Sequence, residues 1–487
     1  MRTPWRLALG LILAVTPAVA LSAWPEPASS HPETTAHMDH MDHSPQAVAH
    51  AGQTAVPAGV GAAAWDGRLP DWPSGGHTLE VGAGKAYSNL EAALAVAGDG
   101  DRVIVFGGLS KGTFHVKQRV WLEGRDEAVL DGGGQGSVVT VEAPGARVTG
   151  FMIHNTGESL NLEDSGVYLQ DARGAVVAGC HLMNVEFGIV AKSSPEVLVA
   201  GNTVIGKGRD LSLSGDGIRI FFSKNARVLA NTVQQTRELL VEQTEGVEIR
   251  ANAVIDGRQG IHLMRAPQAT IVENFLGGNS TGVYVMYGDG TQVLRNWMQE
   301  NRGPSGYGVG VKEASGVRVE GNWLVGNRAA IYLDSAPLDP AIPGTEIGNF
   351  VAYNDVGILL TTATQGNQIS GNDFVENLQQ VGLSAEGKPG ANRWTVAGRG
   401  NYWSDYNGYD ADGDRVGEVP YAPVNVFEGW MDRQPDLRWF WFTPASAAVD
   451  AGAQAFPLAA ADPVLVDERP AMAPAKRGER PWSSYSK

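Results

Sequence analysis

The 487-residue chain has one cysteine, Cys180, so it can form no internal disulfide and no cysteine-built zinc or iron–sulfur site. It is short of positive charge: 37 Lys and Arg stand against 53 Asp and Glu, and a net charge of −16 repels phosphate backbones and argues against nucleic acid as a partner. Beyond the first twenty residues no apolar run is long enough to cross a bilayer, so membrane association is expected only through a partner. A phosphate loop is also missing. Around Gly84-Lys85 it would need Gly at 79 and Ser or Thr at 86, where the chain has Leu79 and Ala86, and ATP hydrolysis drops out of the candidate functions. Glycine, by contrast, is abundant at 62 residues, while 43% of the chain is hydrophobic, a combination that signals many turns in an ordered chain.

Arg2 and Arg6, an apolar run from Leu7 to Val15, and Ala18-Val19-Ala20 read as an export signal over 1–20, which makes a periplasmic or other extracytoplasmic location the expectation. Residues 21–76 are rich in Ala, Pro, Gly, Ser and His without hydrophobic periodicity and are expected to be a disordered linker. Within it, His37-Met38-Asp39-His40-Met41-Asp42-His43 alternates imidazole and thioether. Those donors suit a soft or borderline metal such as copper, so His37, Met38, His40, Met41 and His43 are candidates for flexible capture, set against a plain solvated tether.

Order is expected from His77. Ser88-Asn89-Leu90-Glu91 reads as a capping box opening a short helix that would cover the open first edge of a stack of strands. Val103-Ile104-Val105-Phe106, Val120-Trp121-Leu122 and Val138-Val139-Thr140-Val141 are short strands between Gly and Asp turns. Asn202, Asn231, Asn252, Asn274, Asn296, Asn322, Asn349 and Asn372 then recur at a period of about 22 residues with inserted loops, and Cys180 fills the slot before them. An apolar column lies two residues after each slot and another three before it, with the Asn349 turn read as displaced by one to Ile347. A third strand opens with Gly, as in Gly260-Ile261-His262-Leu263 and Gly282-Val283-Tyr284-Val285. Three strands per turn make an all-β, right-handed parallel β-helix over 77–443, with a C-terminal cap and a Pro/Ala-rich tail over 444–487 that carries a short helix; the stacked Asn form an internal ladder.

That register aims side chains. With Ile261 and Leu263 inward, His262 and Met264 point outward, and Tyr284 and Met286 lie one rung on, followed by Gly310 and Lys312, then Tyr332 and Asp334, with Arg219 and Phe221 below. One imidazole and two thioethers, His262, Met264 and Met286, thus share a face suited to Cu(I), against ordinary packing under a loop or partner. A second outward column, Phe275, Trp297, Trp323 and Phe350, could stack sugars or lie under the C-terminal segment or a partner.

Polysaccharide lyases, hydrolases and epimerases are the rival class. On the third-strand column the candidate acids Glu242 and Asp334 stand four rungs, or about 19 Å, apart, too far for glycoside hydrolysis, while Asp164 and Asp216 leave another face open. Past the coil, Asp410, Asp412 and Asp414 alternate around Gly413 like the start of a calcium loop, although Gly stands at loop position four and no late Glu completes it; a capping turn is the competing reading. Trp439-Phe440-Trp441-Phe442 precedes Pro444 and an Ala-rich stretch expected to be helical, and four consecutive aromatics need a surface to cover them.

Several segments together resemble the NosD-type periplasmic maturation proteins of nitrous oxide reductase. They are Arg258-Gln259-Gly260-Ile261-His262-Leu263-Met264, Gly282-Val283-Tyr284-Val285-Met286-Tyr287, Tyr307-Gly308-Val309-Gly310-Val311-Lys312, Asn401-Tyr402-Trp403-Ser404-Asp405-Tyr406 and Asp410-Ala411-Asp412-Gly413-Asp414. The resemblance covers roughly 77–474. It implies a non-catalytic copper-handling subunit on an ABC-type transporter with its ATPase, with a copper chaperone and nitrous oxide reductase as further partners. The chain departs from the usual pattern at Leu263, where an aromatic would be usual, and at Arg265-Ala266, which replaces an aromatic-Ser pair. The transported species could be copper or a sulfur compound. If a transporter sits below the coil, the tail from Pro444 is expected to dock on its membrane subunit, with Trp439, Phe440, Trp441 and Phe442 anchoring its base.

Overall fold

Short apolar strands closed by turns that demand a left-handed backbone have one efficient way to bury themselves, which is to stack in register on copies of the same turn. In the computed structural model they do so. It describes residues 54–57, 59–384, 390–423, 430–431, 434–441, 443–455 and 463–475. The expected export signal, His37 to His43 and Phe442 lie outside the described residues.

The chain winds a right-handed parallel β-solenoid of about 13 turns whose three sheets hold 13, 12 and 13 strands. Each rung contributes one strand to each sheet. Glycines and almost as many non-glycine residues at positive φ, such as Ala230 and Ala251, turn the corners. The interior is a continuous column of Val, Ile, Leu and Ala with almost no exposed surface. The helix Leu90–Val96 covers the first edge and buries Leu90 and Ala93. Its cap is Asn89, whose Oδ1 accepts from Ala92 N at 2.8 Å, so the helix begins one residue after the expected Ser88 box.

The Asn ladder is as expected. Asn274 Oδ1, for example, accepts from the Asn252 backbone N at 2.9 Å and from Asn252 Nδ2 at 3.0 Å, while Asn274 Nδ2 reaches Ile249 O at 2.9 Å. Cys180 closes the lower end, donating its backbone N to Asn202 at 3.0 Å; burial pushes its thiol up to about 11, so it is inert structure. A second ladder, Asn279, Asn301, Asn327, Asn354 and Asn377, runs five residues after the first.

Three expectations are corrected. Residues 54–57 and 59–76, read as linker, are seated on the coil. Thr54 Oγ1 donates to Asp256 at 3.1 Å, Gly61 N to Ala251 O at 2.9 Å and Ala62 N to Thr232 at 2.9 Å, while Trp65 packs on Val176, Ala178, Leu198 and Ala200 and Arg147 donates to Asp71 O at 2.7 Å. Val60 and Val56 cover Phe275, so the segment before the coil closes the foot of the aromatic column. These apolar contacts are isolated in sequence and carry no period, which is why composition hid them.

At the other end, residues 463–475, read as tail, return to the coil. Asp467 accepts from Asn401 N at 2.7 Å, Thr395 Oγ1 at 2.7 Å and Trp403 Nε1 at 3.0 Å, ending the Asn ladder with a carboxylate. The short helix is present as Pro444–Ala455. The third correction lies on the rung of Asn349, which is not displaced. Glu346 pairs with Val319 and Ile369 in the interior column, and Ile347 lies half-buried beside it. The Glu346 carboxyl is fully buried, its Oε2 has no partner, and burial pushes it up to about 8.

Candidate functional site

Strand Gln259–Met264 alternates as a strand in a coil must: Ile261 and Leu263 are buried inward, while His262 and Met264 face away from the interior. In register, His262 sits between Leu240 below and Tyr284 above, and Met264 between Glu242 and Met286. The two methionines are therefore half-buried neighbours on adjacent rungs. The column continues as expected through Gly310 and Lys312 to Tyr332 and Asp334, with Lys312 Nζ 3.7 Å from the Asp334 carboxylate.

His262 departs from expectation in its exposure. It faces outward yet keeps only 7% of its surface open. A register shift between Glu238 and Leu239 carries the Glu238 carboxylate to 3.0 Å from His262 Nδ1, and the imidazole stacks on Tyr284 with centroids 6.0 Å apart. His262 Nε2 is buried and has no hydrogen-bond partner.

Below the imidazole lies a charged network of which the sequence had pointed to Asp216, Arg219 and Glu242. Arg237 Nε donates to Asp216 Oδ1 at 2.9 Å and lies 3.4 Å from Glu238 Oε1. Arg219 bridges Glu163 at 3.2 Å and Glu242 at 3.1 Å, and Arg209 pairs with the buried Glu186. Burial pushes the Asp216 carboxyl up, reinforced by the Glu238 charge. Burial acts the same way on Glu238, but the hydrogen bond from His262, with the charges of Arg237 and Arg258, holds that carboxyl below its ordinary value. The available signal was an acid at or just ahead of the start of the third strand on four successive rungs: Asp164, Glu186, Asp216 and Glu238.

Above the imidazole the surface turns aromatic. The Tyr284 ring lies against Gly310, where an added Cβ would meet it at 2.5 Å, and Tyr307 stacks on Tyr332 with centroids 4.3 Å apart. Burial raises all three phenols, so they stay protonated near neutrality. The site is thus a soft strip, made of Tyr284, Met264, Met286 and one imidazole nitrogen, adjoining a buried ionic chain.

The other candidates separate. In the acidic loop the carboxylates that approach within 4.8 Å are Asp410, Asp412 and Glu418. Asp414 instead accepts from Val416 N at 2.7 Å and pairs with Arg469 at 3.1 Å, while Asp410 accepts from Gly413 and Arg415 N–H groups, so the loop satisfies itself as a turn. In the aromatic column Phe275 is buried, and Trp323 and Phe350 are half-buried with centroids 4.8 Å apart. Trp439 and Phe440 are 87% and 56% exposed.

The chain is also similar to known proteins. The profile described as "Periplasmic copper-binding protein (NosD)" matches residues 200–408, the rungs that carry this site. A "Probable ABC transporter binding protein NosD" of Pseudomonas aeruginosa is 29% identical over 81% of this chain and 94% of its own. One of the same description from Stutzerimonas stutzeri is 28% identical over 81% and 92%. Among solved structures, the catalytic unit of a GH87 α-1,3-glucanase from Streptomyces thermodiastaticus is similar at 13% identity with a TM-score of 0.47, over 66% of each chain.

Proposed function

We propose that the chain is a NosD-type protein: periplasmic, non-catalytic and copper-handling, working with an ABC-type transporter in assembling the copper centres of nitrous oxide reductase, a reading supported by its motifs, its profile match and its two relatives. The copper is cargo, taken as Cu(I) by His262, Met264 and Met286. The observation that carries this reading is the pairing of two thioethers in register beside an imidazole nitrogen that no protein group uses. Thioether and neutral imidazole are soft or borderline donors and favour Cu(I) over hard cations. His37, Met38, His40, Met41 and His43 gather the metal ahead of that site, a copper chaperone supplies it, and the exposed Trp439 and Phe440, with Trp441 and Phe442, dock on the membrane subunit of the transporter.

An enzyme reading would draw on the paired acids Asp216 and Glu238. Both are buried and both contact Arg237, which leaves them poorly placed to meet a sugar. The test is a competitive Cu(I) titration of the chain lacking 31–50, with and without Ala at His262, Met264 and Met286. A weaker affinity in the triple variant supports the proposal, and equal affinity removes it.

A further inference from the structure

The buried chain of charges behind His262 has a consequence for which ring nitrogen is available. Glu238 and His262 have side chains only 5% and 9% exposed, and they meet at 3.0 Å through Oε2 and Nδ1. A carboxylate can only accept, so the proton in this contact belongs to Nδ1. The other nitrogen, Nε2, is buried without a partner. Nε2 is unpaired in either tautomer, and the bare lone pair left when Nδ1 carries the hydrogen is the form a metal ion takes up. On the far side Glu238 is held by Arg237, itself fixed by Asp216, so the carboxylate cannot swing away from the ring without breaking a second buried contact.

We propose that Glu238 is the positioning residue of the site: it locks His262 in the tautomer with hydrogen on Nδ1 and so presents the Nε2 lone pair to the incoming metal. The Asp216–Arg237 pair keeps Glu238 in place. This rests on the reading of His262 as a copper ligand. It explains why a buried carboxylate stands beside a histidine on the outward face: the carboxylate orients the ring. It also accounts for the Glu238–Leu239 register shift, which turns the acid toward the imidazole of the next rung.

The test uses the full chain, labelled with ¹⁵N at histidine. Long-range ¹H–¹⁵N spectra of the metal-free protein identify His262 by its loss in H262Q and report which nitrogen carries hydrogen. Wild type is expected to show hydrogen on Nδ1 and a bare Nε2. Glu238→Gln, which keeps the shape but loses the charge and can donate as well as accept, is expected to populate the other tautomer and to weaken Cu(I) binding by about 10- to 100-fold. A wild-type spectrum with hydrogen on Nε2 overturns the proposal without any variant having to fold. So does an E238Q protein that keeps both tautomer and affinity. If H262Q itself leaves Cu(I) affinity unchanged, the ligand assignment falls instead, and the metal-free spectrum still decides the tautomer separately.

Discussion

A carboxyl group in the middle of an apolar column makes stability depend on pH in a direction that can be worked out. Glu346 sits where Val319 and Ile369 sit on the neighbouring rungs, fully buried, with one oxygen unpartnered and its pKa moved from 4.5 to about 8. Between those values the folded protein keeps the proton that the unfolded chain has released. The folded state then binds more protons, so stability falls as pH rises, by about 1.4 kcal/mol per pH unit, and levels off above about 8. From pH 5 to pH 9 the loss due to this one residue is about 4 kcal/mol.

Glu346→Gln removes the titration while keeping the shape, so the stability difference between wild type and E346Q isolates it from every other group. The assay is urea unfolding of both proteins at pH 5 and pH 9, with hydrogen exchange at the Val319 and Ile369 amides to localise the change. Wild type should lose about 4 kcal/mol more than E346Q over that range. Glu346→Val should be more stable than wild type at pH 9, because an aliphatic side chain matches its neighbours in the column. A wild-type-minus-E346Q difference that is the same at both pH values would mean the carboxyl is solvated or paired, and the register that puts it inside would be wrong.

At the top of the ladder, Asp467→Ala should cost about 2–4 kcal/mol, since Asn401 N–H and Trp403 Nε1 lose their acceptor in a buried setting; faster exchange at Asn372 and Asn401, with the lower rungs unaffected, is the expected pattern. Because residues 463–475 complete the coil, the transporter contact is better tested by Trp439→Ala with Phe440→Ala than by truncation. The double variant should keep its melting profile and stop co-purifying with the membrane subunit, and undiminished co-purification would move the contact to the coil. Deleting 31–50 should leave unfolding unchanged and lower copper loading in a fixed time, whereas a large loss of cooperativity would show that the segment packs.

Period and side-chain type made the coil legible before any coordinates. The Asn column and the alternating third strands set the register that pairs Met264 with Met286. Single residues that break the period were misread for physical reasons. Ile347 looked like the inward residue because it is apolar, yet backbone register, and not hydrophobicity, decides the side, and Glu346 pays for it in its ionisation. His262 was placed on the correct face, but its cover comes from Glu238, which a bulge redirects; a bulge leaves no mark in a sequence of alternating residues. The segments that clasp the coil, 59–76 and 463–475, hold on through scattered contacts such as Trp65 and Asp467, each one residue in a stretch of otherwise loop-like composition.

The ligand set itself is accessible to one measurement: X-ray absorption at the copper edge on Cu(I)-loaded protein lacking 31–50, compared with Met264→Leu, Met286→Leu and His262→Gln. Two sulfur scatterers and one imidazole are expected in the wild type, with one sulfur lost in each methionine variant and the imidazole lost in H262Q. A wild-type spectrum with only nitrogen and oxygen neighbours, or one that none of the three substitutions changes, would contradict copper handling on this face of the coil.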